Sequence, residues 1–226
     1  MIKKIITLLR IGRKLALSDA LNIVSKVYEV PMVIKIFLSL MGLFGKKNNN
    51  QNYNEEERLC KSMESMGITF IKLGQFLATR PDIIGEKLSN QLQALQDKVP
   101  AFPRDIALKE IKIGVGNENY NDFINISEPI AAASIAQVHK AQIKDKGVLK
   151  EVAIKVLRPN IKKVFNEEIE ALMLLAYLIE SLIKKTKRLK LVEVVFLLKE
   201  ITNHEMDLRF EAAAANEFYE NTRNDV

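Results

Sequence analysis

One lysine follows a short apolar run that has the composition of a buried strand. Val152, Ala153 and Ile154 precede Lys155, and Val156 follows it. A strand lysine in this setting can pair with the α- and β-phosphates of a bound nucleotide, because its ammonium group is a compact point charge. Buried strands that end in an exposed lysine are also common. The four residues therefore suggest a phosphate site without establishing one.

An alanine-rich run lies one predicted hairpin upstream of this lysine, in the place that a kinase gives to its Gly-rich loop. The run consists of Ile130, Ala131, Ala132, Ala133, Ser134, Ile135, Ala136, Gln137 and Val138. Backbone N–H groups of such a loop can point at a phosphate, but alanine lacks the freedom of glycine to adopt positive φ. We expect a stiffer loop with a different nucleotide geometry, and we assign these residues, with Lys155, to a nucleotide site.

Acidic residues downstream could hold the lysine in place. Glu205, Asp207 and Glu211 lie in a stretch whose spacing predicts one helix from Leu191 towards Phe218. Asp207 and Glu211 are four residues apart and share a helix face, whereas Glu205 points elsewhere. A buried lysine needs a counter-charge, because it otherwise tends to lose its proton. A solvated acidic helix face is the usual alternative, and the sequence leaves both interpretations open.

A second polar pair stands farther upstream. Lys72 and Gln75 are three residues apart, on the polar side of a helix that we predict over residues 55–79. Gly74 lies between them, and a glycine within a helix costs about 1 kcal/mol relative to alanine. We therefore predict that Gly74 permits close packing.

Hydrophobic spacing predicts the remaining elements. Further helices are expected over three stretches: from Asp82 towards Pro100, from Arg104 to Gly114, and from Val164 to Leu182. Residues 128–142 and 151–157 are rich in Ala, Ile and Val, with Asp145 and Gly147 between them. This pattern predicts two strands joined by a hairpin.

The composition limits the class of protein. With 226 residues, 48% hydrophobic and 27% charged, the chain can form one large domain or two small ones, and it is neither collagen-like nor wholly disordered. Its single cysteine, Cys60, excludes an intrachain disulfide and a cysteine-rich zinc site, and it argues against an extracellular protein. His139 and His204 lack HExxH spacing, so we assign no metal ligands.

Positive charge is concentrated at the N-terminus. The net charge is +6, five lysines and arginines occur within the first fourteen residues, and no acidic residue precedes Asp19. At helical spacing, Ile2, Ile5 and Leu9 share one side of a helix. A basic amphipathic helix fits an anionic lipid surface, and it fits docking on its own domain equally well.

The chain is predicted to have three parts. Residues 1–45 form a basic, amphipathic helical segment, in which the apolar run over residues 36–45 is too short to span a bilayer. Residues 46–54 are rich in Asn and Gln and form a polar linker, so the compact domain is expected over residues 55–226. A second basic cluster, over residues 184–190, has no interleaved aromatics, and no nucleic-acid partner is predicted.

Together these motifs resemble the UbiB/aarF-domain family of atypical kinases. The matching stretches are residues 67–82, which contain the KxGQ motif, then 95–100, 128–139, 152–159 and Glu205-Met206-Asp207. The resemblance covers the N-terminal portion of such a protein and runs from about Gly67 to the C-terminus. It implies an α+β fold, in which a kinase-like N-lobe, a small antiparallel sheet with a helix, carries a helical N-terminal extension.

The resemblance implies roles for the predicted nucleotide site. Lys155 would pair with Glu211 and contact the phosphates of ATP or ADP. The alanine-rich loop, here Ala131 to Ser134, would replace the Gly-rich loop and bias nucleotide selectivity. The residues are present in this sequence, and their roles are what the resemblance implies.

The resemblance also implies a regulatory group. Lys72 and Gln75 of the KxGQ helix would lie over the site where a protein substrate otherwise binds, and they would contact Glu205 and Asp207. Ordinary protein phosphorylation would then be sterically discouraged.

At the level of function, the family implies an ATPase or unorthodox kinase that supports ubiquinone biosynthesis. The expected partners are a nucleotide, a membrane surface reached through the N-terminal segment, and other ubiquinone-biosynthesis proteins. The expected location is peripheral, on the cytoplasmic face of the inner membrane or its mitochondrial equivalent.

One departure from the family pattern concerns catalysis. Magnesium is expected for the family, but only ten residues follow Asn216, and they contain neither the catalytic-loop Asp and Asn nor an Asp-Phe-Gly motif. We therefore expect the catalytic C-lobe to be absent and a truncated chain to be inactive alone. The alternative is a non-enzymatic peripheral membrane or partner-binding module.

Overall fold

A computed structural model describes most of the chain. The described residues are 2–18, 53–95, 99–145 and 147–225, with a few isolated positions between 32 and 42. Most of residues 19–45 of the predicted N-terminal segment lie outside the described residues, as do residues 46–52 of the predicted linker and residues 96–98 of the family match.

The chain divides into two compact units. Unit 1 comprises Met1–Gln96 and Lys163–Glu200, and unit 2 comprises Asp97–Lys162 and Ile201–Val226. Each unit has its own buried residues, so the architecture of each can be described separately.

In its described residues, unit 1 consists of helices joined by short connections and contains no strand. Its helices are α1 (Ile2–Leu17), α2 (Glu55–Met66), α3 (Ile68–Ala78) and α4 (Pro81–Gln93). Most of α6 (Ile161–Leu182) and α7 (Leu191–Glu205) also belong to it, with a 3₁₀ helix (Lys184–Leu189) between them. The buried apolar side chains of the unit include Leu59, Met66, Phe70, Leu88, Leu92 and Phe165. The helices predicted from Asp82 and to Leu182 are confirmed, apart from their ends.

The helix predicted over residues 55–79 is wrong in one respect, because Gly67 divides it into α2 and α3. Gly67 has φ of 106°, a backbone conformation that side-chain-bearing residues rarely adopt. Lys14 of α1 donates a hydrogen bond of 2.6 Å to the carbonyl oxygen of Met66, at the C-terminus of α2. Hydrophobic spacing continues across the break, so periodicity alone does not reveal it.

Close packing at Gly74 is confirmed. A Cβ atom added at this position would lie 2.5 Å from Cδ2 of Leu95, which is too close for a side chain without rearrangement. A larger residue at this position would require the Leu95 side chain to move.

Unit 2 contains a small antiparallel sheet, as the fold-class prediction requires. Its strands are β1 (Phe123–Ile124), β2 (Pro129–Ala132), β3 (Ala136–Asp145) and β4 (Val148–Leu157). β4 pairs along the whole of β3, while β1 and β2 pair with the other edge of β3. The hairpin predicted around Gly147 is confirmed.

The single strand predicted over residues 128–142 is wrong. A tight turn divides it into β2 and β3, closed by a hydrogen bond of 2.8 Å from Ala133 N to Ala136 O. The run of Ala and Ile has strand propensity on both sides of this turn, so composition did not distinguish one strand from two. The short strand β1 was not predicted.

Helix α5 (Arg104–Tyr120) covers one face of this sheet. Its Ala107 and Ile111 pack in a buried cluster with Ala141 of β3 and Val156 of β4. The expected stop at Gly114 is wrong, because helical structure continues to Tyr120 across a kink at Gly116, where φ is 82°.

The last predicted helix is also divided. It consists of α7 and α8 (Leu208–Thr222), with Met206 and Asp207 between them. Met206 is buried, and the Asp207 side chain accepts a hydrogen bond from the backbone N–H of Arg209 at the start of α8. An aspartate at this position competes for the backbone and favours a new helix start over continuation.

Candidate functional site

The predicted lysine and its predicted counter-charge are in contact. The Nζ atom of Lys155, on β4, lies 2.5 Å from Oε2 of Glu211, on α8. The Lys155 side chain is 37% exposed and the Glu211 side chain 59% exposed, so the pair is accessible from solvent. The ammonium group has three donors, and one carboxylate leaves donors available for a ligand oxygen.

Strand register brings the alanine-rich run to the same place. Lys155 is paired with Val138 on β3, and Val138 is paired with Ala131 on β2. Residues paired across neighbouring strands point to the same face of a sheet, so these three side chains form one row. Because Val156 packs towards α5, the row lies on the opposite, exposed face.

A second ion pair lies on this exposed face. Lys140 of β3 is 2.9 Å from Glu151 of β4, and both side chains are more than half exposed. Lys140 is two residues from Val138, so it shares the face of Lys155. The two lysines differ in their partners, since only Lys155 is joined to α8.

The alanine-rich run is exposed at its start and buried at its end. Ile130 and Ala131 are exposed, whereas Ala132, Ala133 and Val138 are half-buried. The four residues between Ala133 and Val138 are buried: Ser134, Ile135, Ala136 and Gln137. The first half of the run is therefore the part that a ligand on the exposed face can reach.

The buried Gln137 side chain holds the segment before α5. Its Oε1 atom accepts a hydrogen bond of 2.8 Å from Phe102 N, and its Nε2 atom donates one of 3.2 Å to Phe102 O. Nδ1 of His139 lies 2.8 Å from the carbonyl oxygen of Ser127, which can only accept, so Nδ1 carries the proton. Nε2 of His139 then accepts from Gln137, at 2.9 Å. His139 is a structural residue of the core, and its place in an apolar strand was the only sequence signal of this.

Arg158 directly follows β4, and its side chain contacts backbone segments that are distant along the chain. The guanidinium group donates hydrogen bonds to the carbonyl oxygens of Ala133, Val99 and Pro100. Arg158 also lies near the ring of Phe102, at 5.7 Å from its centroid. An arginine directly after a strand lysine motif was visible in the sequence, but its partners are too distant along the chain to be read there.

The predicted regulatory residues fall in both units. Asp207 pairs with Arg209 at 2.8 Å and 2.5 Å, and hydrogen bonding by Arg209 lowers the pKa of Asp207 to about 2. Glu205 is exposed at the end of α7. Lys72 and Gln75 are half-buried on α3 of unit 1. Their predicted contact with Glu205 and Asp207 stays a prediction.

The described residues lack both a metal-binding cluster and a membrane-spanning helix. Within residues 2–18, 53–95, 99–145 and 147–225, no three His, Cys, Asp or Glu side chains are grouped so that they could hold a metal ion. None of the helices that the structure describes is long and apolar enough to cross a bilayer.

Comparison with protein families gives one match. The model of the ABC1 atypical kinase-like domain matches residues 94–226, more than half of the chain. The matched region includes the whole sheet, the alanine-rich run and both members of the Lys155–Glu211 pair.

Several curated proteins with the name "Probable protein kinase UbiB" are similar to the chain. The protein of Pseudomonas aeruginosa strain PAO1 is 40% identical over 165 residues, 73% of this chain and 30% of that protein. The protein of Aliivibrio fischeri strain MJ11 is 37% identical over 181 residues, 80% of this chain and 33% of its own length. The protein of Vibrio atlanticus is 35% identical over 179 residues, which are 79% of this chain and 32% of that protein.

The chain thus spans about a third of the length of the curated relatives that it matches. No solved structure matches it.

Proposed function

This chain belongs to the ABC1 atypical kinase-like family, and we propose that its unit 2 binds the phosphates of ATP or ADP on the exposed face of the sheet. The observation that carries the proposal is the Lys155–Glu211 ion pair, 2.5 Å long, in one row with Ala131 of the alanine-rich run. Lys155 would contact the phosphates, and Glu211 would keep its ammonium group in position.

The orientation of Lys155 supports a phosphate ligand. The ammonium group of Lys155 is already oriented by one carboxylate, so less side-chain entropy is lost when a phosphate binds. The alanine-rich run, residues 130–138, would approach the phosphates with backbone N–H groups from its exposed first half. Alanine restricts these residues to fewer conformations than glycine does, which would narrow the set of nucleotides that fit.

Titration of the full chain with ATP, and separately with ADP, in a calorimeter tests the proposal. Lys155→Ala should weaken the binding of ATP roughly tenfold or more, because a charge-assisted hydrogen bond to phosphate is lost. Lys140→Ala is the matched control, since Lys140 forms its own ion pair with Glu151 on the same face. It should change affinity by no more than about twofold.

Glu211→Gln tests whether the negative charge of Glu211 is needed to orient the ammonium group of Lys155. The neutral side chain keeps its size but leaves Lys155 without its carboxylate, and we expect an affinity between those of the wild type and Lys155→Ala. Equal ATP affinity in the wild type and Lys155→Ala, or an equal loss in Lys140→Ala, contradicts the assigned role of Lys155.

For the whole protein we propose, from the family resemblance and the name of the relatives, an atypical kinase or ATPase that supports ubiquinone biosynthesis. It would act with other proteins of that process, peripherally on the cytoplasmic face of the inner membrane or its mitochondrial equivalent. Lys72, Gln75, Glu205 and Asp207 would regulate access to the nucleotide site.

For the 226-residue polypeptide by itself we propose nucleotide binding without turnover. Phosphoryl transfer depends on metal ions and a positioned carboxylate, and the sequence holds neither an Asp-Phe-Gly nor a catalytic-loop motif to supply them. Release of inorganic phosphate from ATP with magnesium should stay at the level of a protein-free control. Turnover that disappears in Lys155→Ala would contradict this proposal.

A second candidate function is binding to an anionic membrane surface through α1. This helix is docked in unit 1 by Thr7 and Ile11, which are buried. Ile5, Ile6 and Leu9 are exposed on it, at 45%, 53% and 41%. The exposed arginines Arg10 and Arg13 lie on the same helix, a composition that suits anionic lipid headgroups. One face of α1 therefore packs in unit 1, while another face is exposed and can contact a membrane surface.

Vesicle flotation tests this role without removing the helix. The double substitution Ile6→Glu and Leu9→Glu places acid on the exposed face and leaves the docked face intact. It should abolish flotation with vesicles that contain phosphatidylglycerol, and vesicles of phosphatidylcholine alone provide the control. Undiminished flotation of the double variant would reject the role of α1, as would equal flotation with both vesicle types.

A further inference from the structure

Arg158 connects the alanine-rich run to a second backbone segment. Its Nη2 and Nε atoms donate to the carbonyl oxygen of Ala133, at 2.9 Å and 3.2 Å. Nη2 also donates to the carbonyl oxygens of Pro100, at 2.9 Å, and Val99, at 3.2 Å. The backbone N–H of Arg158 donates to the carbonyl oxygen of Ile135, at 2.9 Å. One residue therefore contacts both sides of the turn between β2 and β3 and the segment that precedes α5.

These contacts act on the turn in the middle of the alanine-rich run. Ala133 lies in the turn, two residues after Ala131, which shares a row with Lys155. Hydrogen bonds from a charged donor are roughly twice as strong as neutral ones. Gln137 is hydrogen-bonded to Phe102, two residues after Pro100, so the segment that accepts from Arg158 is itself held to β3.

We propose that Arg158 is a positioning residue for nucleotide binding. By tying the Ala133 carbonyl to Val99 and Pro100, it keeps the alanine-rich run in the conformation that lies beside Lys155. The run then acts as a fixed wall of the site instead of a flap that closes over the nucleotide. This inference rests on the proposed function, because it concerns the same site.

The planar shape of the arginine side chain is what the position requires. Its donors are arranged in a rigid fork and can reach several carbonyl oxygens at once, whereas a lysine presents one compact ammonium group. Arg158→Lys should keep the charge and lose part of the bridge. Arg158→Gln should lose both.

Arg104 provides a matched control. Its guanidinium group donates to the carbonyl oxygens of Ile126, at 2.6 Å and 3.1 Å, and of Ser127, at 3.3 Å. It belongs to the same unit and also joins backbone segments, but these hydrogen bonds go to residues before the alanine-rich run. Arg104→Gln therefore removes a comparable set of bonds without acting on Ala133.

The first measurement is the affinity for ATP of the full chain and its variants, by calorimetry. Arg158→Gln should weaken binding roughly tenfold, and Arg158→Lys should give an intermediate loss. The ATP affinity of Arg104→Gln should stay within about twofold of the wild-type value, even if its melting temperature falls by as much as that of Arg158→Gln. Wild-type affinity in Arg158→Gln, or an equal loss in Arg104→Gln, overturns the proposal.

The second measurement is hydrogen exchange over residues 131–136 without nucleotide. These amides should exchange faster in Arg158→Gln than in the wild type, and Arg104→Gln should leave them unchanged. If Arg158→Gln does not fold, Arg158→Lys decides, and wild-type affinity and exchange in that variant would overturn the proposed bridge. If the wild type binds no ATP, the proposed function fails, and exchange over residues 131–136 still shows whether Arg158 positions the run.

Discussion

The two faces of the sheet in unit 2 differ in what they contribute. The face towards α5 is closed, with Ala107, Ile111 and Val156 buried and with the polar groups of Gln137 and His139 hydrogen-bonded. The opposite face is exposed and carries the Lys155–Glu211 and Lys140–Glu151 ion pairs. Burial of apolar surface supplies most of the free energy of folding, while exposed ion pairs contribute little. The comparison indicates that one face stabilises the unit and the other is available for chemistry.

The largest expected effect on stability comes from the closed face. Ile111→Ala removes a buried side chain from the cluster that joins α5 to the sheet, and it should lower the free energy of unfolding by about 2–5 kcal/mol. Urea denaturation followed by circular dichroism measures this loss. Ile113→Ala is the control on the same helix, since Ile113 is 77% exposed and should change stability little. Similar losses in both variants would mean that α5 does not pack as described.

A smaller effect is expected from the buried polar network on the same face. His139→Leu keeps this buried position filled, but it leaves the Ser127 carbonyl and the Gln137 amide without their hydrogen-bond partner. The free energy of unfolding should fall by about 1–3 kcal/mol, the cost of unsatisfied buried polar groups. His204→Leu, at an exposed histidine on α7, should be nearly neutral. If the two substitutions have the same effect, the network does not stabilise the sheet.

On the exposed face, stability and ligand binding should separate. Lys155→Ala should reduce the free energy of unfolding by less than about 1 kcal/mol, as should Lys140→Ala, because both ion pairs are solvent-accessible. Only Lys155→Ala should also lose affinity for ATP. Thermal denaturation together with the calorimetric titration checks both parts. A large loss of stability in Lys155→Ala alone would make the pair with Glu211 a structural contact.

The smallest effect is expected at Asp207, and it depends on pH. Hydrogen bonding by Arg209 lowers the pKa of this carboxyl from 3.8 to about 2 in the folded chain. A lowered folded-state pKa gives stability that is present above pH 4 and is lost as the pH falls towards 2. The difference in stability between the wild type and Asp207→Asn should therefore shrink over this range. Arg209→Gln should remove the same dependence, and a constant difference down to pH 2 would contradict the pairing.

Prediction from sequence succeeded where one local signal was sufficient. The hairpin at Gly147, the close packing at Gly74 and the start of α5 at Arg104 each depend on residue types within a few positions. The divided elements were missed for a common reason. Hydrophobic spacing is the same on both sides of Gly67, and strand propensity is the same on both sides of Ala133, so a break of one or two residues leaves the pattern intact.

In the candidate site, too, local sequence patterns identify residue types but not long-range contacts. The residue types of Lys155, Glu211 and the alanine-rich run were visible, and the family resemblance suggested that they belong together. The contacts of Arg158 could not be predicted, because its three carbonyl partners lie 25, 58 and 59 residues away along the chain. Every residue has a backbone carbonyl group, so residue types do not indicate which carbonyl will accept a hydrogen bond.

The amino-acid sequence by itself determined the character of each segment: a basic amphipathic start, a helical stretch, an Ala- and Val-rich region with one strand lysine, and a helical end. Only the tertiary structure decided which charge faces which, as Lys155 and Glu211 are 56 residues apart and meet through β4 and α8. The physical reason is that local propensity depends on neighbours within a turn or two. Ion pairs and carbonyl bridges depend instead on how the core packs, and that packing is settled by contacts distant in the chain.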